Sequence, residues 1–157
     1  KLAIIAAPVN PPPPPIGPDW VMRIPAIGLT STVRGGDPIR TTDSGYSWHW
    51  TGTGFMGQDA HVAFFAHRTE HGGVYRFLNY LSSGDIITVT TMDRREYVYQ
   101  VVRRDLTDAR TSNILDATRF HPGTTLSLIA CSRPDFTPTS LSWRIVVTAE
   151  LVGWSEF

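Results

Sequence analysis

The chain has 157 residues, 41% apolar and 18% charged, and its fourteen basic and fourteen acidic side chains cancel. That length suits one domain with a real core, and zero net charge gives no footing for a nucleic-acid surface. A single cysteine, Cys131, excludes an internal disulfide framework, and no apolar run reaches the roughly 18 residues of a membrane-spanning helix.

The opening, Lys1 to Ala7, is apolar but too short for a signal or an anchor. Prolines 11 to 15, with Pro18 soon after, lack amide donors and have φ fixed, so they predict a stiff polyproline II spacer. This divides the chain into a Pro-rich tether, residues 1–18, and a folded domain, residues 19–157. Trp20 to Ile24 alternates as a strand and stops at Pro25. Arg34 to Gly57 reads as loop, with Tyr46, Trp48, Trp50 and Phe55 more suited to packing than to a substrate wall. His61 to Ala66 is a continuous apolar run suited to a strand buried on both sides.

Val74, Phe77, Leu78 and Leu81 recur at i, i+3, i+4 and i+7 and predict a short amphipathic helix that ends at Ser82–Asp85. Ile86 to Thr91 and Glu96 to Arg104 predict two strands joined by the polar turn Met92–Arg95. Thr111 to Leu115 offers N-cap residues for a helical turn. Thr124 to Ala130 and Trp143 to Val152 are the last strands, the latter alternating about Ile145, Val147 and Ala149. With 12 Pro and 13 Gly, the chain predicts an all-β fold. The architecture expected is a closed or nearly closed β-barrel of about eight strands with one or two short helices.

Two strand ends carry the chemistry. Cys131 ends the strand that starts at Thr124, with Arg133 just beyond it and Arg144 at the start of the next strand. A nucleophilic thiol works as the thiolate, which neighbouring cations favour. His67 ends the buried run from His61. If the Cys131 and Arg144 strands pair as neighbours, both residues lie at one end of the barrel.

In these segments the sequence resembles the sortase family of cysteine transpeptidases. Ser127-Leu128-Ile129-Ala130-Cys131 is similar to the signature TLxTC, Ala66-His67-Arg68-Thr69 to the histidine motif, and Trp143 to Val147 to the arginine strand. Arg23 to Gly28 resembles the early IPxIG segment, Gly54 to Gly57 a G-x-x-G stretch, and Gly84-Asp85 the turn after the family's helix. The resemblance covers roughly residues 20 to 152, in the family's order, and HRT after the strand points to actinobacterial class E or class F. Two departures stand in the signature: Ser127 keeps the hydroxyl of the first Thr, and Ala130 loses that of the second.

The resemblance implies three catalytic roles: Cys131 as nucleophile, His67 as acid/base and Arg144 as electrostatic stabiliser. The substrate would be an LPxTG-like or LAxTG-like sorting signal, cleaved between Thr and Gly. An amine from a cell-wall precursor or a pilin would resolve the thioester, with slow hydrolysis on the side. No metal or organic cofactor is required. The start at Lys1 is read as the loss of an upstream piece. The full protein is then expected to be membrane-anchored, on the outer face of a Gram-positive cell. Of the three arginines near the thiol, only Arg144 is expected on a rigid element, so Arg68 and Arg133 are expected to matter little.

Two other readings come from different classes. His67-Arg68-Thr69-Glu70-His71 matches H-x-x-E-H, a zinc-protease motif, but that motif needs a sustained helix and Gly72-Gly73 interrupts one. A catalytically inactive binding domain would make Cys131 a core residue and His67 a structural histidine. His61, His71 and His121 are given structural rather than catalytic readings, while His49, between Trp48 and Trp50, is read either as packing there or as lining a groove.

Overall fold

The computed structural model describes residues 19–58, 60–109, 124–132 and 143–157. Eight strands close into one barrel. They are β1 (Trp20–Ile24), β2 (Leu29–Arg34), β3 (Ser47–His49), β4 (His61–Phe65), β5 (Ile86–Thr90), β6 (Arg95–Asp108), β7 (Thr125–Ser132) and β8 (Trp143–Glu156). Their order around the barrel is β1-β2-β3-β4-β7-β8-β6-β5, and β5 pairs back onto β1. The β2–β3 and β4–β7 pairs are parallel; the others are antiparallel. A six-residue helix, α1 (Pro38–Asp43), and two 3₁₀ turns, Pro25–Ile27 and Leu78–Tyr80, are the other described elements. The expected all-β closed barrel is the observed fold. Among the described residues no helix is long and apolar enough to cross a membrane.

Strand alternation sorts the central strands into two faces. Val62 and Phe64 of β4, Leu126, Leu128 and Ala130 of β7, and Ile145, Val147 and Ala149 of β8 fill the barrel. The opposite parity, Ala63, Ile129 and Val146, faces outward but is covered by Trp50 and Phe65. This is why His61 to Phe65 shows no polar alternation: both of its faces are apolar.

Three segments differ from the sequence expectation. The stretch Arg34 to Gly57 is not all loop. Asp37 caps α1, its side chain accepting from the Arg40 amide at 2.8 Å, and Pro38 sets the first turn. β2 and β3 were not expected because their inward positions include Ser31 and Ser47, which satisfy each other at 2.8 Å inside the barrel. That pair removes the apolar alternation by which strands are recognised. The helix expected over Val74 to Leu81 is instead a turn running into the 3₁₀ segment. Tyr75, Leu78 and Leu81 are buried at a spacing of three, and Phe77 is exposed. The predicted tether, the turn at Thr111 to Leu115, Arg133 and His121 lie outside the described residues.

The G-x-x-G stretch has a steric reason at its second glycine. Gly57 has φ 82°, and a Cβ there would lie 2.5 Å from Cε1 of the buried Tyr97 ring. Gly57→Ala is expected to lose about 2–4 kcal/mol from left-handed strain plus overpacking. Gly52→Ala, at φ 94° in open space, carries the strain alone and should lose about 1–2 kcal/mol. Urea unfolding of the two variants side by side checks the difference.

Candidate active site

Register brings two of the three expected residues together. Cys131 of β7 lies directly opposite Arg144 of β8 in the antiparallel ladder. Directly opposed residues share a face, and here it is the outer one, continuing the row Ile129–Val146. The Arg144 guanidinium stands 6.0 Å from the centre of the Phe65 ring and its Nη1 donates to the Trp143 carbonyl at 3.0 Å. Cys131 is half-buried. The thiol and the guanidinium therefore sit at the edge of an apolar strip made by Phe65, Ile129 and Val146.

His67 reaches the same end through the parallel neighbour. β4 and β7 pair up to Phe65↔Ile129, two residues before His67 on one strand and two before Cys131 on the other. The Ala66 amide extends this contact, donating to the Ile129 carbonyl at 3.3 Å. Past the strand the loop is pinned by its own backbone: the Tyr75 amide donates to the His67 carbonyl at 3.0 Å and Gly73 to Glu70 at 2.9 Å. Residues 67–71 contain no helix, so the helix-borne geometry of an H-x-x-E-H protease is absent.

Arg68 has a structural part that the sequence reading did not foresee. Far from being a loosely held neighbour, it is 2% exposed and clamps three segments together. Its Nη1 donates to the Cys131 carbonyl at 3.2 Å, Nε to the Arg76 carbonyl at 3.0 Å and Nη2 to Asn79 Oδ1 at 2.9 Å. Burial pushes its pKa below the ordinary arginine value, and the neighbouring Cys131 acts the other way. Arg68→Ala removes three bonds to partly buried acceptors and leaves a gap where a buried side chain stood, and is expected to destabilise the chain by roughly 2–4 kcal/mol, read by thermal and urea unfolding.

The signature departures also find their places. Ser127 keeps a hydroxyl because its Oγ pairs with His61 Nε2 at 2.9 Å across β4 and β7. Ala130 is fully buried inside the barrel, as is Ala66 before His67, so neither side chain faces the outer strip. His49 is structural: it packs between Trp20 and Phe55 with ring centroids at 5.2 and 5.3 Å, and its Nε2 meets the Gly54 carbonyl at 2.9 Å. Burial holds its pKa below the usual histidine value, with the Gly54 bond opposing.

Sequence reasoning missed Asp43 and gave His71 a part only in the zinc-protease motif. Asp43 Oδ1, at the end of α1, lies 2.8 Å from His67 Nε2 and 3.4 Å from His71 Nε2. The two imidazole rings are 5.0 Å apart, tilted by 34°. One ligand atom from each of Asp43, His67 and His71 lies within 4.8 Å of the others, so these three could hold a metal ion. The Asp37-Pro38 pair signals that a helix starts there, but nothing local shows that its last residue meets a histidine 24 positions away.

The Sortase domain family model matches residues 22–152 of the chain. Sortase E1 from Streptomyces coelicolor, solved with a tripeptide in its active site, is similar over 92% of this chain and 94% of its own, at 21% identity and a TM-score of 0.78. The SrtA sortase from Actinomyces oris aligns over 93% of this chain and 88% of its own, at 20% identity and 0.77. Sortase E from Streptomyces avermitilis aligns over 87% and 89%, at 21% and 0.74. At these identities the likeness concerns the fold. Among curated protein sequences none matches.

Proposed function

From the premise that this chain belongs to the sortase family of transpeptidases, we propose that it performs acyl transfer with Cys131 as nucleophile, Arg144 as oxyanion donor and His67 as acid/base. The observation that carries this reading is the register Cys131↔Arg144 beside the end of the Phe65↔Ile129 ladder, which brings β4, β7 and β8 to one barrel end. The substrate is a peptide sorting signal of the LPxTG or LAxTG type. Its apolar residues suit the strip of Phe65, Ile129 and Val146 beside the thiol.

In the first half-reaction Cys131 Sγ bonds to the threonine carbonyl carbon, and negative charge collects on the carbonyl oxygen. Arg144 offers that oxygen planar, fixed N–H donors from a strand rather than a loop. The Thr–Gly C–N bond then breaks, and His67 delivers a proton to the leaving glycine amine. In the second, an amine attacks the thioester carbon, returns a proton to His67 and expels the Cys131 thiolate. Water in place of the amine gives hydrolysis. A cell-wall precursor or a pilin lysine supplies the amine. On this reading the chain works at the outer face of a Gram-positive cell membrane, with residues 1–18 as its tether.

Mass spectrometry of products from LPxTG and LAxTG peptides, each with several amines, tests the reaction. Ligated peptide ending at threonine is the expected product. Intact peptide under every pairing, with the thiol still reactive, would instead favour an inactive binding domain.

Within this mechanism Arg144→Lys and Arg144→Ala are both expected to lose roughly 10²-fold or more in kcat/KM, the scale of removing one oxyanion donor. Lysine keeps the charge but lacks the planar fork that can hold two oxygens at once. Steady-state kinetics on one sorting peptide, after a folding check, decides; near-parental rates for Arg144→Lys would move the electrostatic role elsewhere.

A further inference from the structure

We propose that Asp43, His67 and His71 form a binding site for a divalent transition ion, best matched by zinc, and that the bound ion switches the enzyme off by occupying His67. The inhibitory half rests on the proposed acid/base role of His67; the binding half rests on the geometry alone.

Two imidazoles and a carboxylate make a ligand set suited to zinc, which takes three protein ligands and one water in a tetrahedron. With bonds of about 2.0–2.1 Å, the ligand atoms of such a site stand about 3.3 Å apart. Here Asp43 Oδ1 is already 3.4 Å from His71 Nε2 and 2.8 Å from His67 Nε2, and all three ligand atoms lie within 4.8 Å of one another. The short contact to His67 is a hydrogen bond. An ion takes the place of its proton and lengthens the contact by about half an ångström, within the reach of small side-chain rotations.

The ligands come from separate elements that the backbone fixes. Asp43 closes α1. His67 and His71 are set by the turn whose amides bond back to Glu70 and His67. Gly45, just past α1, has φ 83°, and a Cβ there would lie 3.3 Å from the His71 carbonyl, so α1 and the histidine turn approach closely. The site is open to an ion from solvent: Asp43 and His71 are exposed, and a groove of about 370 Å³ bordered by Leu29, Val74 and Phe77 runs beside His71. A helix is therefore not needed to bring the two histidines of the H-x-x-E-H stretch together. They serve an ion that blocks a transpeptidase rather than one that activates water.

An ion on His67 Nε2 takes the nitrogen that Asp43 now holds, and an imidazole with a cation on one nitrogen no longer becomes the doubly protonated acid that gives a proton to the leaving amine. Such an ion is an inhibitor, not a cofactor, and metal-free chain is the active form.

The test uses the full chain without an affinity tag, stripped of metal, with zinc chloride titrated against a chromophoric chelator. One zinc per chain is expected. The affinity should persist in Cys131→Ala and fall by about tenfold or more in Asp43→Asn and in His71→Ala, each checked for folding, because each loses one of three ligands. Cobalt(II) added in place of zinc should give the visible bands of a tetrahedral site in the parent chain and lose them in those two variants. Zinc should inhibit peptide turnover, with EDTA restoring it. The inhibition constant should rise in His71→Ala by the same factor as the binding constant, each rate being taken against that variant's own metal-free rate. Equal zinc affinity in parent, Asp43→Asn and His71→Ala overturns the site, as does an affinity that collapses in Cys131→Ala, which would put the ion on the thiol. Zinc bound with the expected ligand dependence but without effect on turnover overturns the inhibitory half and locates the error in the role given to His67. A metal-free parent chain that turns over no sorting peptide counts against the reaction itself, while the binding and cobalt data still decide the site.

Discussion

Cys131→Ala is expected to fold like the parent chain and to form no acyl-enzyme at all. The fold should survive because the bond that ties this strand end to Arg68 is accepted by the Cys131 backbone carbonyl, which alanine retains. The side chain is half-buried at a strand end, so losing one sulfur should cost about 1 kcal/mol or less. The chemistry should vanish because Cys131 is the chain's only thiol, and no neighbouring cysteine can take over. Intact-protein mass spectrometry during turnover reads the thioester directly, and thermal unfolding reads the fold. The same lone thiol gives a second check: a thiol reagent should modify the folded parent at one position and block turnover in proportion. Peptide cleavage that persists in Cys131→Ala would sink the nucleophile assignment.

The barrel was legible where the inside and outside of a strand differ or where both are apolar. β4 stood out because Val62 and Phe64 pack inward while Ala63 on the outer face is buried with Phe65 packed over that cluster. β8 stood out through Ile145, Val147 and Ala149. β2 and β3 did not, because a buried serine pair replaces an apolar contact, and hydrogen bonding between Ser31 and Ser47 cannot be read from two serines sixteen residues apart. The segment after Gly73 misled for another reason. Its apolar residues fit a helical period, but the buried set, Tyr75, Leu78 and Leu81, follows the tighter three-residue turn.

The site divides in the same way. Cys131 and Arg144 are separated by a single strand connection, so their pairing could be anticipated, and the ladder bears it out. Asp43 could not be, since its meeting with His67 depends on where α1 lands against the barrel. The structural part played by Arg68 could not be read from the HRT stretch. Its burial is visible only once the carbonyls of Arg76 and Cys131 and the amide of Asn79 converge on it.

Two histidines share Asp43, and their substitution should separate them sharply. His67→Ala is expected to lower kcat/KM by about 10²–10⁴-fold, the range that a positioned acid/base contributes, while His71→Ala should retain the larger part of turnover. The register argues for this asymmetry. His67 follows directly on β4, whose ladder with β7 ends two residues short of it and of Cys131, so a proton on His67 is carried beside the strand that presents the thiol. His71 sits four residues further on, at φ 49° in an exposed turn, where its side chain is 42% accessible against 21% for His67. Asp43 orients the ring by accepting from Nε2. Asp43→Asn weakens the hydrogen bond that orients the ring, and should cost less than His67→Ala, on the order of tenfold. All three variants are measured with EDTA present, so that no ion on the cluster adds to the loss. The decisive comparison is the rate of thioester formation against the rate of its resolution by amine, because an acid/base serves both halves of the reaction. Loss confined to resolution would make His67 an activator of the incoming amine only. Equal losses in His67→Ala and His71→Ala, each with the fold intact, would mean that the pair acts as a unit and that the single-histidine mechanism is wrong.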